Sequence, residues 1–245
     1  MATDVFDAIE EQDARLDAIL GSLSQEQWSA PSLCDGWSVR DVVLHLAQTD
    51  EAVVASIEER PAPIPVEVAS NIDEAMEQWV RTERDTTPDV QARWNDARKA
   101  ALEGLRNADP NQPLQWAAAP LKAKTLATTR LSEHWIHTLD IADPLGIDNP
   151  DSDNINHIAW LAWRTIPYAF MRAGRDDAPT VRAELIAPDG AHVTYGDADA
   201  ACVVKGSMGE FCRITARRLS PEQATTIIAE GDNADDVLAL IRTYA

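Results

Sequence analysis

Eleven residues, RLSEHWIHTLD from Arg130 to Asp140, hold a glutamate, two histidines, an arginine and an aspartate. On a helix turning about 100° per residue, Glu133 and His137 stand four apart, one above the other. Arg130 and Asp140 extend the same stripe in both directions, and Leu131, Trp135, Leu139 and Ala142 take the opposite side. Two readings fit this pattern. An amphipathic helix can bury its Leu and Trp residues and leave the charged stripe in water. Alternatively, the stripe is one wall of a metal site. His45 bears on the choice, because it sits at the edge of an apolar stripe of Val42, Leu46 and Val53, with Thr49 one turn on. An inward imidazole needs a partner, whether a carbonyl, a carboxylate or a metal. Two imidazoles and one carboxylate are the ligand count of an open catalytic zinc, with a fourth position left for water or substrate. Helix bundles build such sites from facing side chains. Asp140 or Arg130 could then orient a ligand. His134 lies about 60° from His137 around the helix and is not expected to reach the same metal. His157 and His192 have no partner pattern and read as surface residues. Cys34 is either a small buried hydrophobe or a thiol near the site.

The elements that must position these residues are mostly helices. Val5, Ile9, Leu16, Ile19, Leu20 and Leu23 recur near helical spacing. After the loop Pro31–Gly36, Ser38 is an N-cap with Asp41 three residues on, a weak form of the capping box. The helix it opens carries Val39, Val42, Val43, Leu46, Val53 and Ile57. The prolines of RPAPIP, Arg60 to Pro65, break it. A third helix is expected from Asn71 to Thr86, interrupted at Pro88 and resuming to about Arg106. Asp109–Pro113 is a loop, and a fourth helix runs from about Leu121 to Asp143. Pro144–Pro150 reads as a linker, followed by a helix over Ile155–Arg172.

Beyond that the pattern changes to strands. Val181–Ala187 alternates, Pro188-Asp189-Gly190 is turn chemistry, and Ala191–Tyr195 returns. A strand at Ala201–Lys205, a short helix near Met208–Arg217, a strand at Thr225–Ala229 and a terminal helix ending near Tyr244 complete the chain. The fold class is α+β: a four-helix bundle over residues 1–148, then a small α/β domain over 149–245.

Bulk properties exclude several partners. With 245 residues, 45% hydrophobic and 25% charged, the chain can bury a sizeable core. A net charge of −20 repels phosphate backbones and anionic lipid surfaces, so neither nucleic acid nor a membrane is an expected partner. No apolar run approaches ~18 residues. The three cysteines, Cys34, Cys202 and Cys212, form no CxxC and cannot all pair with one another, which favours reduced thiols. The acidic N-terminus lacks the apolar core of a signal peptide. The expected location is the cytoplasm.

Two stretches resemble a known family. Trp28 to Leu46 follows the pattern W-x-x-P-S-x-C-x-G-W-S-V-x-D-x-x-x-H-L, and Arg130 to Asp140 follows R-x-x-E-x-x-x-H-x-x-D. Both resemble the N-terminal domain of mycothiol-dependent maleylpyruvate isomerases, a DinB-like four-helix bundle with a divalent metal. The stretches Val203–Arg218 and Ala229–Asp236 resemble the small sterol carrier protein-like domain found behind that bundle. Within the family the chain is most similar to a branch described only as metal-binding, with WAAAP, Trp116 to Pro120, fitting its loop before the fourth helix. The resemblance implies His45, Glu133 and His137 as ligands, zinc as the metal and mycothiol as a thiol cofactor. It also implies a catalytic arginine at the end of the C-terminal domain's helix, matched best by Arg218, with Arg217 adjacent. An arginine fork suits a carboxylate clamp, and a solvated surface arginine is the alternative.

The chemistry so implied is thiol activation at the metal. The thiolate would add to an electron-poor double bond, which rotates as a single bond before the thiolate is expelled. Such a substrate would sit in the cleft between the domains. A thiol S-transferase or a hydrolase could use the same site, as could a non-catalytic binding module in which His134 or Asp140 closes the coordination shell. The expected partner is a small-molecule substrate, and the expected state is a monomer or homodimer.

Overall fold

A computed structural model describes residues 3–61, 72–116 and 119–243. Of the expected break, Pro63 and Pro65 lie outside those residues, as do the helix start at Asn71, Ala117 and Ala118 of WAAAP, and Tyr244. The chain divides into two compact units, Asp4–Asn149 and Pro150–Ala245 with Met1–Thr3.

The first unit contains α1 (Val5–Ser22), a single turn α2 (Gln25–Trp28), α3 (Val39–Ile57), α4 (Ile72–Glu83), α5 (Val90–Asn107) and α6 (Ala123–Ala142). Four long helices form the bundle, with α3 packed chiefly on α5 and α1 on α6. Local chemistry sets their starts. Asp4 caps α1 through the Phe6 amide. Ser38 and Asp41 form a reciprocal capping box on α3, and Asp89 caps α5 through the Ala92 amide. The interruption expected at Pro88 separates α4 from α5, because proline lacks an N–H and drives the residue before it out of helical geometry. Leu16, Leu20, Val42, Val43, Leu46, Trp94 and Ile141 join one core cluster. Burying such side chains contributes about 1.5–3 kcal/mol each for the larger aliphatics.

Helix α6 departs from an amphipathic pattern, since 16 of its 20 residues are buried. Its polar residues therefore sit inside the bundle on more than one face, and the reading in which water bathes Arg130, His137 and Asp140 is overturned. Buried polar groups of this kind must find partners within the protein or in a ligand. The helix is followed by Gly146 at φ 65°, with the Ile147 amide returning to the Ala142 carbonyl. This is a left-handed stop that a glycine takes at little cost.

The second unit contains α7 (Ile155–Arg164), α8 (Ile166–Arg172), β1 (Val181–Ile186), β2 (His192–Tyr195), β3 (Cys202–Ser207), α9 (Met208–Thr215), β4 (Ile228–Gly231) and α10 (Ala234–Leu240). The sheet order is β2-β1-β3-β4, with β1 parallel to β3 and the other pairs antiparallel. The single helix expected over Ile155–Arg172 breaks at Thr165, just before Pro167. Strand β4 begins later than expected, because the Thr225 and Thr226 amides donate to the Glu210 carboxylate at 3.0 and 2.8 Å and not to a strand. Helix α9 stops before Arg217, which adopts φ 59°. The Arg217 amide bonds the Ile214 carbonyl and the Arg218 amide bonds the Arg213 carbonyl, the pattern of a left-handed C-terminal cap. Among the described residues no helix is long and apolar enough to cross a membrane, and all three cysteines are free thiols.

Candidate metal centre

Helices α3 and α6 bring His45, Glu133 and His137 together. His45 Nε2 is 3.7 Å and His137 Nε2 is 3.5 Å from the same atom, Glu133 Oε2. The two imidazole rings stand 5.0 Å apart, nearly perpendicular at 78°. All three donor atoms lie within 4.8 Å of one another. These separations are too long for good hydrogen bonds, which end near 3.2 Å. They lie close to the roughly 3.3–3.6 Å edge of a tetrahedron whose N and O ligands sit about 2.0–2.2 Å from one ion. The side chains of His45 and His137 are 8% and 11% exposed, but that of Glu133 is 25% exposed, so the cluster has an open side.

The electrostatics are those of a site short of positive charge. Burial, together with the neighbouring His137, lowers the His45 pKa and keeps this imidazole neutral, the form that ligates. Burial pushes the Glu133 carboxyl up, but His137, His45 and the Arg130 charge outweigh it and hold Glu133 well below the usual carboxylate range. Burial lowers His137 as well, yet Asp140, Cys34 and Glu133 raise it well above its ordinary value. A dication among the three donors would take the place of that proton. His45 Nδ1 is buried and has no hydrogen-bond partner among the described residues. The donor set thus fits a borderline divalent cation.

A supporting layer surrounds the three donors. Asp140, fully buried, sets Oδ2 at 2.9 Å from His137 Nδ1 and accepts the Cys34 thiol at 3.1 Å. Cys34 is therefore beside the cluster and not a mere core filler. The Trp37 ring packs on His45 at 5.1 Å between centroids. Arg130 touches none of the three donors. Its Nε donates to Asp50 at 3.0 Å and its Nη2 to Thr49 Oγ1 at 2.8 Å, while Thr49 donates to the His45 carbonyl. Arg130 therefore ties α6 to α3 one turn from the cluster.

His134 belongs to a separate buried group. Its Nδ1 bonds Asp13 Oδ1, and its Nε2 lies 3.1 Å from Asp50 Oδ2. Burial lowers its pKa, but the charges of Asp50 and Asp13 prevail and raise it to about 9. Both ring nitrogens are thereby committed, so His134 does not close the coordination shell. Asp13 and Asp50 had no place in the sequence reading. The signal available for Asp13 was an acid on the apolar stripe of Ile9, Leu16 and Leu20. His157 bonds the Thr3 carbonyl at 2.8 Å, and His192 is exposed. In the second unit, Arg217 is exposed and donates to the Leu240 carbonyl at 3.3 Å, while Arg218 donates to the Ala216 carbonyl at 2.9 Å.

Comparison with known proteins agrees with this architecture. Two Mycobacterium tuberculosis proteins described as uncharacterized, from different strains, are each 28% identical over 237 residues, covering 94% of this chain and 91% of the relative. Crystal structures of the mycothiol-dependent maleylpyruvate isomerase and of a histidine-to-alanine mutant superimpose with a TM-score of 0.63. They are 16% and 15% identical, covering 93% of this chain and 92% of theirs, and they share its fold. Residues 9–142, more than half of the chain, match the model described as the mycothiol maleylpyruvate isomerase N-terminal domain, and the protein belongs to that family.

Proposed function

We propose that this protein is a divalent-metal-dependent and thiol-dependent enzyme, an isomerase or S-transferase acting on a small electrophile that carries a carboxylate. His45, Glu133 and His137 are its metal ligands, zinc is the metal, and mycothiol or a similar low-molecular-weight thiol is the cofactor. The observation that carries the reading is the placement of two imidazole nitrogens at 3.5 and 3.7 Å from one carboxylate oxygen, out of hydrogen-bond range but right for a shared ion. Family membership supports the thiol and the reaction class.

When bound, the cation supplies Lewis-acid activation of a thiol or water at its open position. The chain's own residues do the rest. Glu133 contributes negative charge, so the three donors offset one of the two charges of the ion. Asp140 orients His137, and Trp37 seats His45. The commitment of His134 to Asp13 and Asp50 supports an open coordination position over a closed, structural one. A net charge of −20 works against an anionic substrate, so a local cation is required to receive it. Arg218, with Arg217 beside it, is proposed as the carboxylate clamp, since a guanidinium fork binds a carboxylate through two parallel hydrogen bonds. Three free thiols are in keeping with the reducing cytoplasm in which a thiol cofactor works.

The test is metal content by mass spectrometry on protein purified without an immobilised-metal step, beside His45→Ala and Glu133→Ala. About one zinc per chain in the wild type, lost in both variants, is expected. Wild-type protein that takes up no divalent metal, even when zinc is supplied, would sink the reading. With metal established, a thiol-dependent turnover screen on maleyl-type diacids and on simple electrophiles separates isomerase from transferase.

A further inference from the structure

The loop between α2 and α3, Pro31–Ser38, is held in one shape by its own hydrogen bonds. Ser32 uses both its amide and its hydroxyl on the Trp37 carbonyl, at 2.9 and 2.8 Å. The Cys34 amide donates to the Ser32 hydroxyl at 3.1 Å, and the Trp37 amide donates to the Cys34 carbonyl at 3.0 Å. Gly36, at φ 74°, lets the chain reverse between them. This braced loop reaches α6 at Asp140 and at His137, whose Nδ1 lies 3.8 Å from Cys34 Sγ. The Leu33 amide donates to the Asp140 carbonyl at 3.0 Å, and the Cys34 thiol donates to Asp140 Oδ2 at 3.1 Å. That same oxygen lies 2.9 Å from His137 Nδ1. At its other end the loop lays Trp37 against His45, and Trp37 Nε1 is itself anchored on Glu77.

We infer that this loop is the positioning element of the metal centre, with Cys34 acting on His137 through Asp140 and Trp37 acting directly on His45. The inference rests on the metal reading above and extends it to residues that touch no metal. A carboxylate bonded to His137 Nδ1–H keeps the Nε2 lone pair turned toward Glu133. The thiol bond to that oxygen, and the amide bond to the carbonyl of the same residue, keep the carboxylate from rotating away. Cys34, His137 and Asp140 do not form a second cation site of their own. Their closest pair, at 2.9 Å, is at hydrogen-bond length and inside the roughly 3.3–3.6 Å edge of a shared coordination sphere.

The experiment is zinc affinity, by chelator competition, on the full chain and on Cys34→Ala, Cys34→Ser, Asp140→Ala and the double variant. Circular dichroism checks that each variant is folded. Asp140→Ala is expected to weaken zinc by about 10-fold to 100-fold, and Cys34→Ala by about 3-fold to 10-fold. Cys34→Ser keeps a donor and should stay within about 2-fold of wild type. The two losses should fall short of adding in the double variant, because the thiol's short bond is to that carboxylate and its direct approach to His137 Nδ1 is longer, at 3.8 Å. If Asp140→Ala does not fold, Asp140→Asn takes its place in the same cycle. Wild-type affinity in Cys34→Ala, or effects that add in the double variant, would overturn the role of the loop while leaving the centre intact. Absence of zinc binding in the wild type would overturn the metal reading itself, so the two failures are told apart.

Discussion

His134 and His137 are three residues apart on α6, are both buried, and are both surrounded by acids, yet their surroundings differ in one respect. Around His134 both ring nitrogens have carboxylate partners, although Asp13 Oδ2 itself has no hydrogen bond among the described residues. Asp13 and Asp50 flank its two nitrogens, Arg130 bonds Asp50, and Arg98 stands 3.6 Å from Asp13. The group binds α1, α3 and α6 to one another. Around His137 the facing donor atoms stay apart. Two imidazoles and a carboxylate approach without bonding, and one ring nitrogen of His45 has no partner among the described residues. Density of polar residues therefore does not by itself mark the proposed metal centre. The His137 cluster differs in that three donor atoms face one another without bonding, an arrangement that a shared ligand would satisfy.

The largest contrast should appear in metal content. His137→Ala is expected to abolish zinc uptake, whereas His134→Ala should retain about one zinc per folded chain, as read by mass spectrometry. Equal losses would erase the distinction between the two histidines. Stability should divide the other way. His134→Ala removes the imidazole that both buried carboxylates share and should cost about 3–5 kcal/mol in urea unfolding of the metal-free protein.

The pH dependence sharpens the same point. His134 titrates near 9 in the folded chain, above its ordinary 6.5. A raised pKa stabilises the fold fully below 6.5, and that contribution fades as pH climbs through about 9. The loss, on the order of 3 kcal/mol, should vanish in His134→Gln when unfolding is followed from pH 6 to 10. Zinc at 100-fold over its Kd should stabilise the wild type by about 2.7 kcal/mol and leave Glu133→Gln unmoved in a thermal melt. The smallest effect belongs to the surface. Arg106 pairs with Asp7 and Glu10 across exposed helix faces, and Arg106→Ala should cost no more than about 1 kcal/mol by urea unfolding.

Much of the fold was legible because its signals are local. The Ser38–Asp41 box, the apolar stripe of the first helix and the Pro188-Asp189-Gly190 turn each act over a few residues. The boundaries that slipped were decided by distant partners or by backbone stereochemistry. Glu210 captures the Thr225 and Thr226 amides, Arg217 turns left-handed, and the helix expected unbroken over Ile155–Arg172 divides just before Pro167. At the candidate site, residue types and the four-residue step from Glu133 to His137 were visible in the chain. Asp13, Asp50 and Trp37 were not, because their partners lie on other helices.

By itself, then, the sequence determined which helices and strands form, and it aligned Glu133 with His137, since helical period and capping depend on near neighbours. Only the tertiary structure decided that α6 is buried on more than one face, that His45 faces Glu133 across the bundle, and that His134 is paired with two carboxylates while His137 joins donor atoms that face one another without bonding. Those outcomes depend on the register between helices. That register is set by the packing of whole side chains against one another, and no local period encodes it.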